Sequence, residues 1–384
     1  MRAIVISNEA FPRESAGANY IQYFSMCLME LGYNVLVLGK NKSGKNNNGG
    51  TYHGIEYTLR ENHESYTEKL YFNKNYYKTV AKQFKFCNND VFFFYNTNPY
   101  LFDLYRKMFP ASKMYYIRVE DLQPYQFKLG KYNPRFLLEK KAIAYAYKNM
   151  NGILSISTVL SEQDKQHGCR SIVLPIMADP FEYGFVEDIG KDDIVNFIYP
   201  GMKTTGYEDD IALAFSSFAS LPSSALDRVR IHITGTSKDK MRSIISDELY
   251  QKMQKNIILY GFLQYEELVS LFQKMNYIVL IRKINKITIA NFPSKVPECL
   301  GYGIIPVCTE VGDYTEYYLN DENAIIIRGT SIKDCASAIL KAVDLPQEKY
   351  EVMRNAARKT AVEKFYYKRW APVISSFLNA EEVE

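Results

Sequence analysis

The chain has 384 residues, 47% of them apolar and 23% charged, which is too long for one ordinary domain and suits two of about 180 residues, each with its own core. The net charge of +4 is small but uneven: residues 1–182 hold 23 Lys/Arg against 16 Asp/Glu, and the remainder 24 against 27. A basic first half suits an anionic partner such as lipid headgroups or a phosphorylated acceptor. The six cysteines are scattered without a Cys-x-x-Cys pair and only four His are present, which argues against a structural zinc and for reduced, cytoplasmic thiols. No run approaches 18 apolar residues, so no membrane-spanning helix is expected. The apolar run within Met1–Ser7 is too short for a signal peptide and reads as a first strand.

In chain order, Ala3–Ser7 is predicted as a strand, Asn8–Ala18 as a loop carrying Pro12 and Gly17, and Asn19–Leu31 as an amphipathic helix with Ile21, Phe24, Leu28 and Leu31 inward. Val35–Leu38 is the next strand, completing a βαβ start. Gly39–Lys45 nearly matches a phosphate-binding loop, but Asn46 replaces the required Ser/Thr and Asn46–Gly50 cannot open a helix, so a mobile loop is expected. Tyr66–Phe86 interleaves aromatics with Lys69, Lys74, Lys78, Lys82 and Lys85, a basic helix face that suits an anionic membrane surface or a lipid-linked acceptor. Single-stranded nucleic acid would also tolerate such interleaving, but nothing else supports it, and no nucleic-acid partner is expected.

Asp90–Tyr95 and Lys113–Val119 are predicted strands, the second delivering Arg118, Glu120 and Asp121 at its carboxyl end. A basic helix over Asn133–Asn149, a strand at Gly152–Ser157 and a helix from Thr158 follow. Phe181–Asp193 is acidic and irregular, as a linker is. Asp193–Tyr199 then restarts the opening pattern. Strands are predicted at Arg230–Thr234 and Asn256–Gly261, and helices at Asp209–Leu221 and Glu266–Lys274. This alternation implies two doubly wound α/β domains.

The stretch Asn276–Tyr317 carries the densest chemistry. Tyr277–Ile281 reads as a buried parallel strand with Arg282 at its carboxyl end, where open α/β sheets place ligand groups. Ser294 can cap a short helix running from about Lys295 to Gly301, and Ile304–Cys308 is the next strand. Two cations beside exposed helix N–H groups make a site for a phosphate or diphosphate. Glu298, one turn beyond Lys295, suits the vicinal hydroxyls of a ribose.

The order Arg282 … Ala290-Asn291-Phe292-Pro293-Ser294-Lys295 … Glu298 … Gly303-Ile304-Ile305-Pro306-Val307 resembles retaining glycosyltransferases of the GT-B fold, family 4. Glu298 takes the second Glu position of that family's Glu-x7-Glu motif, and Ala290 stands at the first. The resemblance implies a first Rossmann-like, acceptor-binding domain over 1–182, a second, nucleotide-sugar-binding domain over 183–362, the two facing across a cleft, and a C-terminal helix over 363–384 packing back on the first. It implies donor contacts from Gly17, Gly201, Lys203, Phe262, Leu263, Asn291, Phe292, Pro293, Ser294 and Glu298, with Arg282 and Lys295 stabilising the leaving diphosphate and Glu120 near the acceptor. Departures from the pattern are Ala16 in the first glycine loop, Val119 for a His, and Met202 and Tyr207 for an Arg and a Lys.

The implied reaction moves a sugar from a nucleoside diphosphate sugar to a hydroxyl of a glycan or lipid-linked glycan in polysaccharide assembly, cytoplasmic or at the inner face of the membrane. No cofactor and no metal are expected, since no Asp-x-Asp of the metal-dependent transferases occurs. A sugar-nucleotide epimerase of the same fold and a non-catalytic sugar-nucleotide- or glycan-binding partner of an assembly complex are the alternatives.

Overall fold

The computed structural model describes residues 1–13, 15–41, 48–61, 73–182, 184, 193–202 and 206–380. They fall into two compact units: Met1–Met177 with Ala290–Phe292 and Tyr367–Glu384, and Ala178–Ile289 with Pro293–Tyr366.

The first unit is built on an eight-stranded sheet: β1 (Arg2–Ala10), β2 (Asn34–Lys40), β3 (Gly49–Tyr52), β4 (Ile55–Arg60), β5 (Val91–Tyr95), β6 (Met114–Arg118), β7 (Gly152–Ser155) and β8 (Ser171–Val173). Its order is β3-β4-β2-β1-β5-β6-β7-β8, parallel throughout except for the edge strand β3. The helices are α1 (Ala16–Glu30), α2 (Lys74–Gln83), α3 (Pro99–Met108), α4 (Pro134–Asn149) and α5 (Thr158–Gln166). Alternation along β5 sends neighbouring rings to opposite faces of the sheet. Phe92 and Phe94 pack on Phe109 (5.4 Å) and Phe102 (4.9 Å), whereas Phe93 meets Phe24 of α1 (5.0 Å) and Tyr115 (5.4 Å). Much of the chain's Phe and Tyr content is thus core filling.

The C-terminal helix, Tyr367–Asn379, belongs to this unit and carries the lone tryptophan, Trp370. It lies along α1, with Cys27 Sγ donating to the Tyr367 carbonyl at 3.3 Å and Lys368 paired with Glu30 at 3.0 Å. Gly152 has no Cβ because one would stand 2.5 Å from the Phe377 ring.

Arg118 lies at the carboxyl end of β6 as expected, and it is a buried structural group. Its guanidinium pairs with the fully buried Asp164 and bonds Gln163 at 2.9 Å. Asp164 also accepts from Tyr147 (3.1 Å) and from Ser155 (2.5 Å). Burial alone would pull the Arg118 pKa down, but Asp164 and the other partners hold it above its ordinary value.

Two local expectations for this unit are corrected. First, α1 begins at Ala16, because Ser15 caps it by accepting from the Ala18 N–H at 3.0 Å. Second, Gly49 and Gly50 open β3, and His53 and Gly54, with φ of 47° and 78°, turn the chain into β4 as a hairpin. The remainder of the expected mobile loop, residues 42–47, lies outside the described residues, as does the start of the basic stretch, residues 66–72.

The second unit has a six-stranded, wholly parallel sheet: β9 (Val195–Tyr199), β10 (Val229–Thr234), β11 (Ile257–Gly261), β12 (Tyr277–Leu280), β13 (Ile305–Thr309) and β14 (Ile325–Ile327). The order is β11-β10-β9-β12-β13-β14, the Rossmann arrangement. Its helices are α6 (Ile211–Ala219), α7 (Ser223–Leu226), α8 (Lys238–Arg242), α9 (Asp247–Met253), α10 (Tyr265–Phe272), α11 (Lys286–Ala290), α12 (Val296–Gly301), α13 (Ile332–Asp344) and α14 (Gln347–Thr360). Inward residues of the strands, such as Phe197, Ile231, Val279 and Val307, form one core with Phe215, Ile339 and Tyr350 of the helices. The six cysteines of the chain are all unpaired, and five of them are buried.

His232, on β10, the second strand from one edge of the sheet, is buried between Tyr260 Oη (2.9 Å) and Asn196 Oδ1 (3.0 Å). Burial, with a contribution from Arg230, pulls its pKa from 6.5 down to about 4. The unfolded chain therefore binds the extra proton first as pH falls. The stability that neutral His232 contributes is complete above about pH 6.5 and is lost as pH drops toward 4. After discounting for partial solvent contact we expect a decline of about 2 kcal/mol over that window. Denaturant titrations at several pH values check this, and a His232→Gln variant should show a flatter profile.

Candidate functional site

In the order of the second sheet, the chain departs from β9 in one direction through β10 and in the other through β12, so the ends of β9 and β12 form a topological switch point, the place where open α/β sheets bind ligands. Three glycines with positive φ sit at the carboxyl ends of adjacent strands: Gly201 after β9 (58°), Gly235 after β10 (79°) and Gly261 closing β11 (66°). The Gly201 and Met202 N–H groups donate to Thr234 Oγ1 (2.9 Å) and O (3.0 Å), and the Gly235 N–H donates to the Gly261 carbonyl at 2.6 Å. A Cβ on Gly235 would come within 2.7 Å of the Gly201 Cα, so these turns touch backbone to backbone.

Lys295 reaches this cluster. Its Nζ lies so close to Gly201 that a Cβ there would stand 1.8 Å away. Half-buried as a residue, Lys295 thus places its ammonium over the turn that follows β9. Gly201→Ala should therefore push Lys295 aside and strain a left-handed backbone. We expect it to lose about 1–2 kcal/mol of stability, measured by denaturant titration; unchanged stability would mean that the turn and Lys295 adjust without strain.

Arg282 is also at the switch point, but its side chain is only 2% exposed. Nη2 lies 3.4 Å from Glu208 Oε2 and Nε lies 3.3 Å from Asp209 Oδ1, with Tyr314 against the same guanidinium. Burial pulls Arg282 down, but Tyr314, Asp209 and Glu208 outweigh it and hold the pKa above its ordinary value. The backbone joins in, the Lys283 N–H donating to Glu208 O (2.9 Å) and the Asp210 N–H to Ile281 O (2.8 Å). Arg282 thus fastens the segment Glu208–Asp210 to the end of β12, and Lys295 is the cation that meets the glycine turns.

Helix α12 spans only six residues, and Ser294 does not cap it: Lys295 occupies the cap position without a side-chain hydrogen bond, and Pro297 sits in the first turn. A shorter helix, α11, precedes it and is held by Asn285 Oδ1, which accepts from the Ile287 (2.9 Å) and Thr288 (3.1 Å) N–H groups. Glu298 is half-buried and accepts from the Tyr265 hydroxyl at 2.5 Å. Phe262 is 83% exposed and Leu263 half-buried beyond Gly261. Phe292 is buried, Pro293 and Ser294 are half-buried, and the Asn291 side-chain oxygen is buried without a hydrogen bond. Lys203 lies outside the described residues.

In the first unit, Gly17 is not in a loop as expected but in the first turn of α1. A Cβ there would come 2.6 Å from Glu9 Cδ, and Glu9 Oε2 accepts from the Ser15 hydroxyl at 2.5 Å. The missing side chain makes room for a carboxylate. Glu120 is a half-buried partner of Arg135 at 3.6 Å. Sequence reasoning missed Glu9, Glu208 and Asp209. The acidic pair could have been found by asking what neutralises an arginine at a buried strand end, whereas Asn8-Glu9-Ala10 offers no such signal.

Both sheets, taken with solved structures, decide the architecture. A sucrose-phosphate synthase from Thermosynechococcus elongatus matches with a TM-score of 0.75 at 12% identity, covering 98% of each chain. Anabaena HepE in complex with UDP matches with a TM-score of 0.69 at 14% identity, over 98% of this chain and 99% of that one.

This is the GT-B fold.

A third GT-B match is an E. coli structure described as trehalose-6-phosphate bound with UDP-2-fluoro glucose, with a TM-score of 0.68 at 11% identity over 99% of this chain and 100% of that one. Residues 198–360 match the family model described as Glycosyl transferases group 1. Among curated proteins none matches the sequence. The matched span of the GT-B chain contains the three glycine turns, Arg282, Lys295 and Glu298.

Proposed function

We propose that the protein is a retaining, family 4-like hexosyltransferase that moves a sugar from a nucleoside diphosphate sugar to a hydroxyl of a glycan or lipid-linked glycan. The observation that carries the reading is the Lys295 ammonium fixed over Gly201 at the switch point of the sheet, inside the span that matches group 1 glycosyl transferases. A diphosphate placed against the glycine turns puts its charge beside that cation. As the bond from the anomeric carbon to the phosphate oxygen breaks, the oxygen keeps the electron pair, and Lys295 stabilises the charge that develops. The acceptor hydroxyl forms the new bond from the same face and passes its proton to the departing phosphate, so no protein nucleophile is required.

Glu298, oriented by Tyr265, is the carboxylate for the ribose hydroxyls, and Phe262 with Leu263 borders the base. Solved GT-B neighbours are described in complex with UDP and with UDP-glucose, which makes uridine the first base to test. We further propose that transfer needs no divalent ion and takes place in the cytoplasm.

A thermal-shift screen against UDP, GDP, ADP, TDP and CMP, each with and without EDTA, tests the reading. A rise with one diphosphate that survives EDTA supports it and names the base. Absence of any rise would favour the non-catalytic alternative, for which Ala290 and the internally paired Arg282 speak.

A further inference from the structure

Exposed large apolar side chains concentrate in one segment of the first unit. Between β6 and the first turns of α4, Tyr125 (50%), Leu129 (60%), Tyr132 (71%) and Leu137 (52%) all face solvent. The segment is not loose chain. Two successive 3-10 turns, Pro124–Gln126 and Gly130–Tyr132, are tied by Phe127 N–H to Pro124 O (3.2 Å) and Tyr132 N–H to Leu129 O (3.1 Å). Phe127 meets Phe136 of α4 at 6.4 Å, and Asn133 caps that helix by accepting from Arg135 N–H at 2.9 Å. Ordered backbone that holds four large apolar groups out in water carries an energetic cost, which a partner offsets by covering them.

The charge around them says which partner. Residues 122–138 contain Lys128, Lys131 and Arg135 and no acid; Arg135 is paired with Glu120, just before the segment, and Lys128 and Lys131 carry the exposed positive charge. The outer stripe of α4 continues through Lys141, Ala144 and Lys148 at helical spacing, all exposed. The one acid on that helix, Glu139, is buried and accepts from the Tyr116 hydroxyl at 3.1 Å. A protein partner core would be poor in lysine, whereas Leu and Tyr side chains interleaved with Lys are what an anionic bilayer surface takes up: rings and aliphatic groups at the headgroup level, ammonium groups among the phosphates.

The other basic face gives the contrast. On α2, Lys74, Lys78 and Lys82 are exposed, yet among the described residues 73–86 no large apolar side chain is exposed. Charge without an inserting group attracts a membrane weakly. No helix of the described residues is long and apolar enough to cross a bilayer, so any attachment by these elements is peripheral.

We propose that the Pro124–Leu137 turns with the outer stripe of α4 form a membrane-docking surface for anionic lipid. The inference rests on surface chemistry and does not require that glycosyl transfer be the activity. The test is co-sedimentation of the full chain with extruded vesicles of phosphatidylcholine alone or with phosphatidylglycerol added, at low and high salt. Binding is expected only to the anionic vesicles and should weaken with salt. Lys128→Gln/Lys131→Gln should lower the partition coefficient by roughly 30-fold, at about fivefold per cation, and Leu129→Ser/Tyr132→Ser should lower it comparably. Lys74→Gln/Lys78→Gln removes the same charge from α2 and should leave most of the binding. Far-UV circular dichroism and the diphosphate thermal shift should be the same in all three variants. Protein that stays in the supernatant with every vesicle, or equal losses from the two Lys pairs, would overturn the proposal while leaving the nucleotide result to judge the enzyme.

Discussion

Replacing Lys295 by Ala is expected to lower kcat/KM for sugar transfer by about 10²–10³-fold, the usual effect of removing one group that stabilises charge in the transition state. The same change should move Tm by no more than about 2 °C, since Lys295 is half-buried and packs against a glycine turn rather than the core. Arg282→Ala, which sequence reasoning ranks beside it, should behave differently. It removes the buried cation that Glu208 and Asp209 face, their side chains 21% and 16% exposed, and should cost about 3 kcal/mol of stability. Loss of activity in that variant will mix unfolding with chemistry. The comparison to make is therefore activity per folded molecule, with folded fraction from circular dichroism. A Lys295→Ala enzyme with unchanged kcat/KM would remove the cation from the mechanism.

The largest effect on stability is expected in the first unit. Arg118→Ala leaves the Asp164 carboxylate, 0% exposed, with only hydroxyl partners and should destabilise the unit by about 3–5 kcal/mol. Asp164→Ala removes the guanidinium's fully buried counter-ion, with a similar result. The double change Arg118→Met/Asp164→Leu removes both charges and should recover much of the loss, because paired desolvation is then no longer required. Guanidinium titrations of the three variants give the coupling directly. Strictly additive losses in the double variant would mean that the pair acts through something other than its charges.

What could be read from the sequence follows the physics of burial. Apolar runs such as Val91–Tyr95 and Tyr277–Leu280 are strands buried on both faces, and they are visible because nothing polar interrupts them. The β3–β4 hairpin was missed. Gly49-Gly50-Thr51-Tyr52 has little strand character of its own, and the His53-Gly54 turn is set by positive φ rather than by a familiar pair. The start of α1 was misplaced because Pro12 and Gly17 read as loop residues, while the deciding contact is a single Ser15 hydroxyl on the Ala18 N–H.

At the site, residue types were legible and their partners were not. Arg282 is at the predicted strand end, but only tertiary structure reveals that two carboxylates and a tyrosine hold it. Gly201 is legible from the sequence only as a donor contact that the resemblance implies. Its closeness to Lys295, nearly a hundred positions along the chain, is invisible to any local pattern.

Trp370 has an experimental use that follows from where it sits. It is the chain's single tryptophan, on a helix that packs against α1 and β7 of the first unit, while residues 178–289 and 293–366 supply no indole at all. Red-edge-excited fluorescence is therefore a private channel for one half of the molecule. Followed beside circular dichroism, which sums over both halves, it separates their melting without a label. A denaturation curve in which the two signals part company would assign the early and late transitions to their respective units in a single experiment.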